Sequence, residues 1–217
     1  MVQRSLFGDD PLAAEAATPQ FTDLEAARRT ARECVRCGLS QTRRQVVFGE
    51  GAPQARLLIL GEGPSETDER TGQPFSGPSG SLLVAWLTRL GLTRDAVWVT
   101  NVVRCRPAAV VNGRLKNRPP TEAEAGACRL WLDIELALVR PAVVLALGGS
   151  AGKALLGKGF KITQERGRWH VGPHDTAVLT TFHPAYLLRL EGDDLARVEA
   201  IVEADLDLVG ARLASAG

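Results

Sequence analysis

Long apolar runs are missing from this chain. Nothing in its 217 residues approaches the roughly 20 consecutive apolar positions of a bilayer-spanning helix, and the N-terminus lacks the charged-then-apolar pattern of a secretory leader. The expectation is a cytoplasmic protein. Charge of one sign is not in excess either: 26 Lys and Arg against 25 Asp and Glu leave a formal +1 at pH 7, which neither demands nor excludes a nucleic-acid partner. Aromatic residues make up 5%, with a single tyrosine, and histidine occurs three times, so an aromatic or imidazole at a strand end stands out. Cysteine is scarce at four, and in a reducing compartment four cysteines are scattered core residues or a metal site rather than two disulfides. No internal repeat is found.

What is present suffices for one substantial core. Residues 1–22 are alanine-rich and broken by Pro11 and Pro19, and are expected to be a mobile tail; residues 23–217 are expected to form a single domain. Four apolar runs read as buried strands: Leu57–Leu60, Ala96–Thr100, Val143–Gly148 and Ala177–Phe182. Helical patterns alternate with them, at Thr22–Glu33, from near Ser79 to Leu90, at Thr121–Arg140 and from about Asp193 to Leu213. Thr121 with Glu124 forms a capping box, and Thr22 or Asp23 caps the first helix. The alternation predicts an α/β fold, a three-layer α/β/α sandwich on a mostly parallel central four-stranded sheet. Gln45–Gly51 reads as a short strand, Ala108–Pro120 as a loop, and Lys161–Trp169 as a basic connector or hairpin arm.

The strand Leu57–Leu60 opens into a loop from Gly61 to Gly77 that carries three carboxylates, Glu62, Glu66 and Asp68, and one aromatic, Phe75. A solvated turn would account for its glycines but gives no reason for Phe75 or for acids beside a strand end, where open α/β sheets bind ligands. Asn101 follows the second strand and His183 the fourth. An aromatic wall, an amide and an imidazole are thereby placed at three strand ends.

At these residues the chain resembles the uracil-DNA glycosylase superfamily, most closely its iron-sulfur branch, family 4. The likeness covers about residues 30–190: Gly61-Glu62-Gly63-Pro64 with acids and Gly72-Gln73-Pro74-Phe75, then Thr100-Asn101-Val102-Val103-Arg104-Cys105-Arg106-Pro107, Asn117-Arg118-Pro119-Pro120 and His183-Pro184-Ala185-Tyr186-Leu187-Leu188. The resemblance implies a monofunctional enzyme that frees uracil from DNA by hydrolysis, with no cofactor needed for the chemistry, and starts base-excision repair. It implies that Phe75 stacks on an extruded uracil, that Asn101 reads its polar edge, and that Glu62 and Gly63 contact the ring. A neutral His183 would donate to the departing uracil anion. Asp68 stands where family 4 has a pocket-lining glutamate, near C5 of the base, with Glu66 the other candidate; Asp68 ranks first for pocket contact and Glu62 next, and which carboxylate positions water is left open. Ser65 stands where family 4 commonly has glycine, and would be strained if the backbone there needs positive φ.

By the same resemblance Leu187 is the wedge that fills the gap left by the flipped nucleotide, with Leu188 assigned to the core. Arg189, Arg166, Arg168 and Lys161 are candidates for phosphate contact. Cys34, Cys37, Cys105 and Cys128 match the family's cluster ligands. Zinc is the chemical alternative to a structural [4Fe-4S] cluster, and the choice of iron comes from the resemblance. The loop after Cys105 is longer than usual for family 4, with Ala109–Lys116 extra. In a DNA-crosslinking sister group a histidine in this loop joins the abasic sugar; Asn117 holds the matching place here, and an amide is a poor nucleophile. Uracil-containing DNA is the implied partner of a monomer, and a DNA-binding protein without catalysis is the alternative class. Gln3, Leu6 and Phe7 resemble the peptide by which bacterial DNA-processing enzymes dock on the sliding clamp.

Overall fold

The computed structural model describes residues 21–215. In chain order the elements are α1 (Leu24–Arg32), β1 (Glu50–Gly51), β2 (Leu57–Gly61), α2 (Glu66–Thr71), α3 (Pro78–Arg89), β3 (Trp98–Asn101), β4 (Ala108–Val111), β5 (Arg114–Asn117), α4 (Glu122–Val139), β6 (Val143–Leu147), α5 (Gly149–Leu156), α6 (Ile162–Glu165), β7 (Trp169–Val171), β8 (Ala177–Thr181), α7 (Pro184–Leu187) and α8 (Gly192–Ser215). The Asp23 carboxylate accepts the Ala26 amide and starts α1. Thr121 and Glu124 close a reciprocal capping box on α4. Arg118 also holds Glu124 and keeps its carboxyl at about 2, below the usual range.

The sheet has six strands rather than four, in the order β1-β3-β2-β6-β8-β7. The four apolar runs are its parallel centre. The two additions, β1 and β7, pair antiparallel at the edges and are two and three residues long. They owe their strand form to the neighbour they pair with, since neither carries a buried run of its own. A second, separate sheet is the hairpin β4–β5, within the segment expected to be a loop.

Alternate residues of the central strands feed two cores. Leu58, Leu60, Val144, Ala146 and Val178 pack with Ala27 and Ala31 of α1, Trp131 and Leu132 of α4 and Ala151 of α5. Leu57, Ile59, Val99, Leu145 and Leu179 pack with Leu83 and Trp86 of α3 and Val202 and Leu206 of α8. This is the three-layer arrangement. From β2 the chain goes to β3 on one side and later to β6 on the other, so the strand order reverses at β2. A crevice opens there, outside the carboxyl ends of the strands.

One buried ion pair joins the segment after β3 to α4. Arg104 and Glu135 meet at 2.9 Å with side chains 1% and 0% exposed. Glu135 also accepts the Gly49 amide at 3.0 Å and the Trp98 indole N–H at 3.3 Å. The Arg104 guanidinium donates back to the carbonyl of Asn101, tying the end of β3 to α4.

Candidate active site

A cleft of about 690 Å³ occupies the crevice, lined after β2 by Glu62 and Gly63, at the end of β3 by Asn101, at and after the end of β6 by Leu147 and Gly148, and after β8 by Phe182 and His183. The loop after β2 supplies Pro64, Ser65, Asp68 and Phe75 to the same wall. The three strand-end groups separated by more than a hundred residues of chain therefore meet in one place.

Phe75 is held where its ring must be. Its backbone lies at φ 54°, in the left-handed region, which costs a non-glycine residue energy and persists only where the surroundings over-determine it. Two glycines do that. A Cβ on Gly80, in the first turn of α3, would sit 1.7 Å from the Phe75 carbonyl oxygen, and a Cβ on Gly61 would sit 2.6 Å from the Phe75 ring and 2.4 Å from Asn101 Oδ1. Only glycine lets strand, ring and amide close on one another. Neither glycine was singled out in the sequence, although a glycine at a buried strand end and another inside a helical first turn were the available signals.

Asn101 is 2% exposed, and its Nδ2 has no hydrogen-bond partner among the described residues. A buried donor left unpaired costs about 1–3 kcal/mol, so its place in a cleft wall points to a ligand acceptor. His183 stands beside Phe75, ring centroids 5.7 Å apart and the planes 28° from parallel. Its Nδ1 accepts the Ala185 amide at 3.1 Å, which puts the proton of the neutral ring on Nε2. Burial pushes the imidazole down from its ordinary 6.5 to about 4; the Arg189 charge adds to this and Asp68 opposes it. The ring is a neutral donor at physiological pH.

Asp68 lines the cleft, yet its carboxylate is committed to the loop. Oδ2 accepts the Ser65 amide at 2.8 Å, and Oδ1 accepts the Ser76 amide at 2.7 Å and the Ser76 hydroxyl at 2.9 Å. Ser65 caps α2 at φ −78°, so serine is unstrained there, and its hydroxyl accepts the Asp68 amide. Together they staple the loop that presents Phe75. Glu62 is the less committed acid, taking one hydrogen bond, from Ser150 at the start of α5.

The model of the family described as the uracil DNA glycosylase superfamily matches residues 48–207, which include β2, β3, β6, β8 and every group just described. The chain belongs to the uracil DNA glycosylase superfamily. It is 37% identical over 179 residues to a type-4 uracil-DNA glycosylase of Thermotoga maritima, covering 81% of this chain and 88% of the relative. It is 36% identical over 173 residues to a type-4 uracil-DNA glycosylase of Sulfurisphaera tokodaii, covering 76% of each. A type-5 uracil-DNA glycosylase of Thermus thermophilus is 37% identical over 125 residues, covering 51% of this chain and 53% of the relative.

Two residues expected to contact DNA already have partners inside the protein. Leu187 is 2% exposed and packs in the core beside α8, whereas Leu188 is 53% exposed. The short helix α7 turns 187 inward and 188 outward, so Leu187 cannot enter a duplex without leaving the core. Arg166 is paired with Asp205 at 3.0 Å and lies over the Phe182 ring, so its charge is already met inside the protein. Arg168 is exposed and outside the cleft wall, while Arg189 and Asn117 line it. Asn117 Oδ1 accepts Arg106 Nε at 2.7 Å.

Cys34, Cys37, Cys105 and Cys128 line one cavity between α1, α4 and the segment after β3. Three N–H groups aim at their sulfurs: the Trp131 indole at Cys34 Sγ, 3.3 Å, the Arg104 amide at Cys128 Sγ, 3.3 Å, and Arg43 at Cys105 Sγ, 3.6 Å. Burial pushes the Cys105 thiol up to about 11 and raises Cys128 as well. Four thiolates gathered here need positive charge from a metal centre to be stable. Among the described residues no three His, Cys, Asp or Glu side chains are drawn together closely enough for a single metal ion. The clamp-like residues Gln3, Leu6 and Phe7 lie outside the described residues, and no helix among those described is long and apolar enough to cross a membrane.

Proposed function

We propose that this chain hydrolyses the N-glycosidic bond of deoxyuridine in DNA, releasing uracil and leaving an abasic site. The observation that carries the reading is the unpaired, buried Asn101 amide in the same cleft as the Phe75 ring and a neutral His183. Uracil extruded from the stack presents an acceptor at O4 and a donor at N3; the Asn101 amide answers with Nδ2–H and Oδ1. Cytosine reverses both, leaving like groups opposed, and a buried site that loses its partners in this way rejects the wrong base by about 10⁴-fold or more. Phe75 supports the face of the ring, and its fixed backbone means that little order has to be gained on binding.

Breaking the bond leaves negative charge on uracil. His183 Nε2–H donates to O2 as that charge grows, and the Ala185 amide on Nδ1 holds the ring in the tautomer that carries this proton. One such donor is worth about 10²–10³ in rate. Glu62 positions the attacking water in preference to Asp68, whose oxygens hold Ser65 and Ser76. Asn117 takes no covalent part, since an amide is a poor nucleophile and its oxygen is held by Arg106. The four cysteines hold a [4Fe-4S] cluster that ties α1, α4 and the segment after β3 together and takes no part in bond cleavage. The enzyme acts as a monomer, and Gln3, Leu6 and Phe7 are its means of docking on a sliding clamp.

The test is incubation with an oligonucleotide bearing a single uracil. Strand scission that appears only after alkali, with free uracil in solution and no heat-resistant protein–DNA band, is the expected result. A persistent band would move the assignment to the crosslinking group, and an intact strand after alkali would refute uracil release.

A further inference from the structure

The hairpin β4–β5 is built unlike the rest of the molecule. Its turn is Asn112-Gly113, both at positive φ (53° and 73°), the two-residue form whose twist matches that of paired strands. Neither strand packs extensively on any other element, so the hairpin stands away from both cores. Two-stranded ribbons are marginal alone, and this one is held at its root. Arg106 joins Asn117 Oδ1 at 2.7 Å to Glu66 at 3.1 Å, and the Arg118 amide donates to the Pro107 carbonyl at 3.0 Å. Pro107, Asn117 and Arg118 are cleft-lining residues, so the hairpin is a continuation of the cleft wall.

Its two faces differ. Val110 pairs with Leu115, and Ala108 with Asn117; Val111 pairs with Arg114, and Ala109 with Lys116. Val110 and Leu115 therefore share the face of Asn117, the residue that lines the cleft, and are 70% and 53% exposed. Arg114 and Lys116 occupy the other face, both exposed. Neither meets a carboxylate at ion-pair distance among the described residues. An exposed apolar pair on the cleft side with two unmatched cations behind it suits a polymer with apolar base faces and a charged backbone.

We propose that the β4–β5 hairpin is a DNA arm: Val110 and Leu115 abut the bases beside the extruded nucleotide, and Arg114 and Lys116 reach the phosphates of the same strand. The proposal rests on reading the cleft as a DNA site, and extends that site to the hairpin at its mouth. It also offers apolar contact at the cleft mouth, which the buried Leu187 does not provide.

Two variants test it, Arg114→Ser with Lys116→Ser, and Val110→Ser with Leu115→Ser. All four side chains are outside the cores, so the melting temperature is expected to stay unchanged. Affinity for a uracil-containing duplex is measured across a salt series, and 2-aminopurine beside the uracil reports unstacking. The cation variant is expected to lower the log–log salt slope by about 1.8, two phosphates at about 0.9 each. The apolar variant is expected to keep the slope and lose most of the 2-aminopurine signal. Unchanged slope and unchanged fluorescence in both would overturn the arm. Binding is read without base release, so a protein that binds DNA but frees no uracil refutes the activity while leaving the arm testable; one that frees uracil with both variants matching the original refutes the arm alone.

Discussion

Acid should inhibit this protein two and a half pH units later than an ordinary histidine would allow. His183 must be neutral for Nδ1 to accept the Ala185 amide, the bond that aims Nε2–H, and its pKa is about 4 against an ordinary 6.5. At pH 5.5 a ring of pKa 4 is about 97% neutral and one of 6.5 about 9% neutral, a difference of roughly tenfold in competent protein. The assay is kcat/KM for uracil release from a short oligonucleotide between pH 4 and pH 8, since that ratio reports the free protein; phosphates of bound DNA raise the pKa, so the limb of kcat lies higher. The neighbours give the sign of two further shifts. Arg189→Gln removes a cation that lowers the pKa, so the limb moves up; Asp68→Asn removes an anion that raises it, so the limb moves down. A limb near 6.5 in the unaltered protein, with its circular dichroism unchanged over the range, would refute the neutral donor. Stability follows the same sign. The unfolded ring binds its proton near 6.5 and the folded one only near 4, so this contribution is full above 6.5 and is lost as pH falls towards 4.

Leu187→Ala should lower stability by about 2–5 kcal/mol through the cavity it leaves, whereas Leu188→Ala, at an exposed position, should stay within about 0.5 kcal/mol; thermal melts separate the two. Arg104→Met leaves Glu135 charged and uncompensated in the core, a cost of about 3–5 kcal/mol, which at this size lowers the melting temperature by about 6–20 °C. Cys128→Ser should lose bound iron and its visible absorbance, measured on protein purified without air, together with some thermal stability. Glu62→Gln should lower kcat with little change in melting temperature, whereas Asp68→Asn should lower both, because Asp68 holds the loop; kinetics and melts on the same samples distinguish them.

Local signals made the centre of the fold readable. A parallel strand buried on both faces needs an unbroken apolar run, so Leu57–Leu60, Val143–Leu147 and Ala177–Thr181 show themselves without reference to anything else. Caps are equally local, and Thr121 and Asp23 act as read. The edge strands carry no such mark, because β1 and β7 become strands only through the neighbour's free edge. The hairpin is different: Asn112-Gly113 is a strong turn signal, but the residues flanking it are too exposed to alternate clearly. Helix α2 likewise follows from Ser65 and Asp68 at capping-box spacing, a pattern hidden inside a stretch valued for its acids.

The site residues divide in the same way. Phe75, Asn101 and His183 were legible because each is the wrong kind of residue for a solvated strand end, and the fold brings all three to one cleft. Roles that depend on a partner far along the chain were not. Arg166 looks like a free cation until Asp205, 39 residues on, closes on it. Leu187 ends a four-residue helix and Leu188 follows it, and the packing of α7 against α3 and α8 decides which one faces inward. Asp68 shows the limit most clearly. Its place in the pocket could be read from the motif, but three donors from Ser65 and Ser76 already occupy its oxygens, and only geometry shows that a carboxylate at the right position has been spent on holding Phe75 in place.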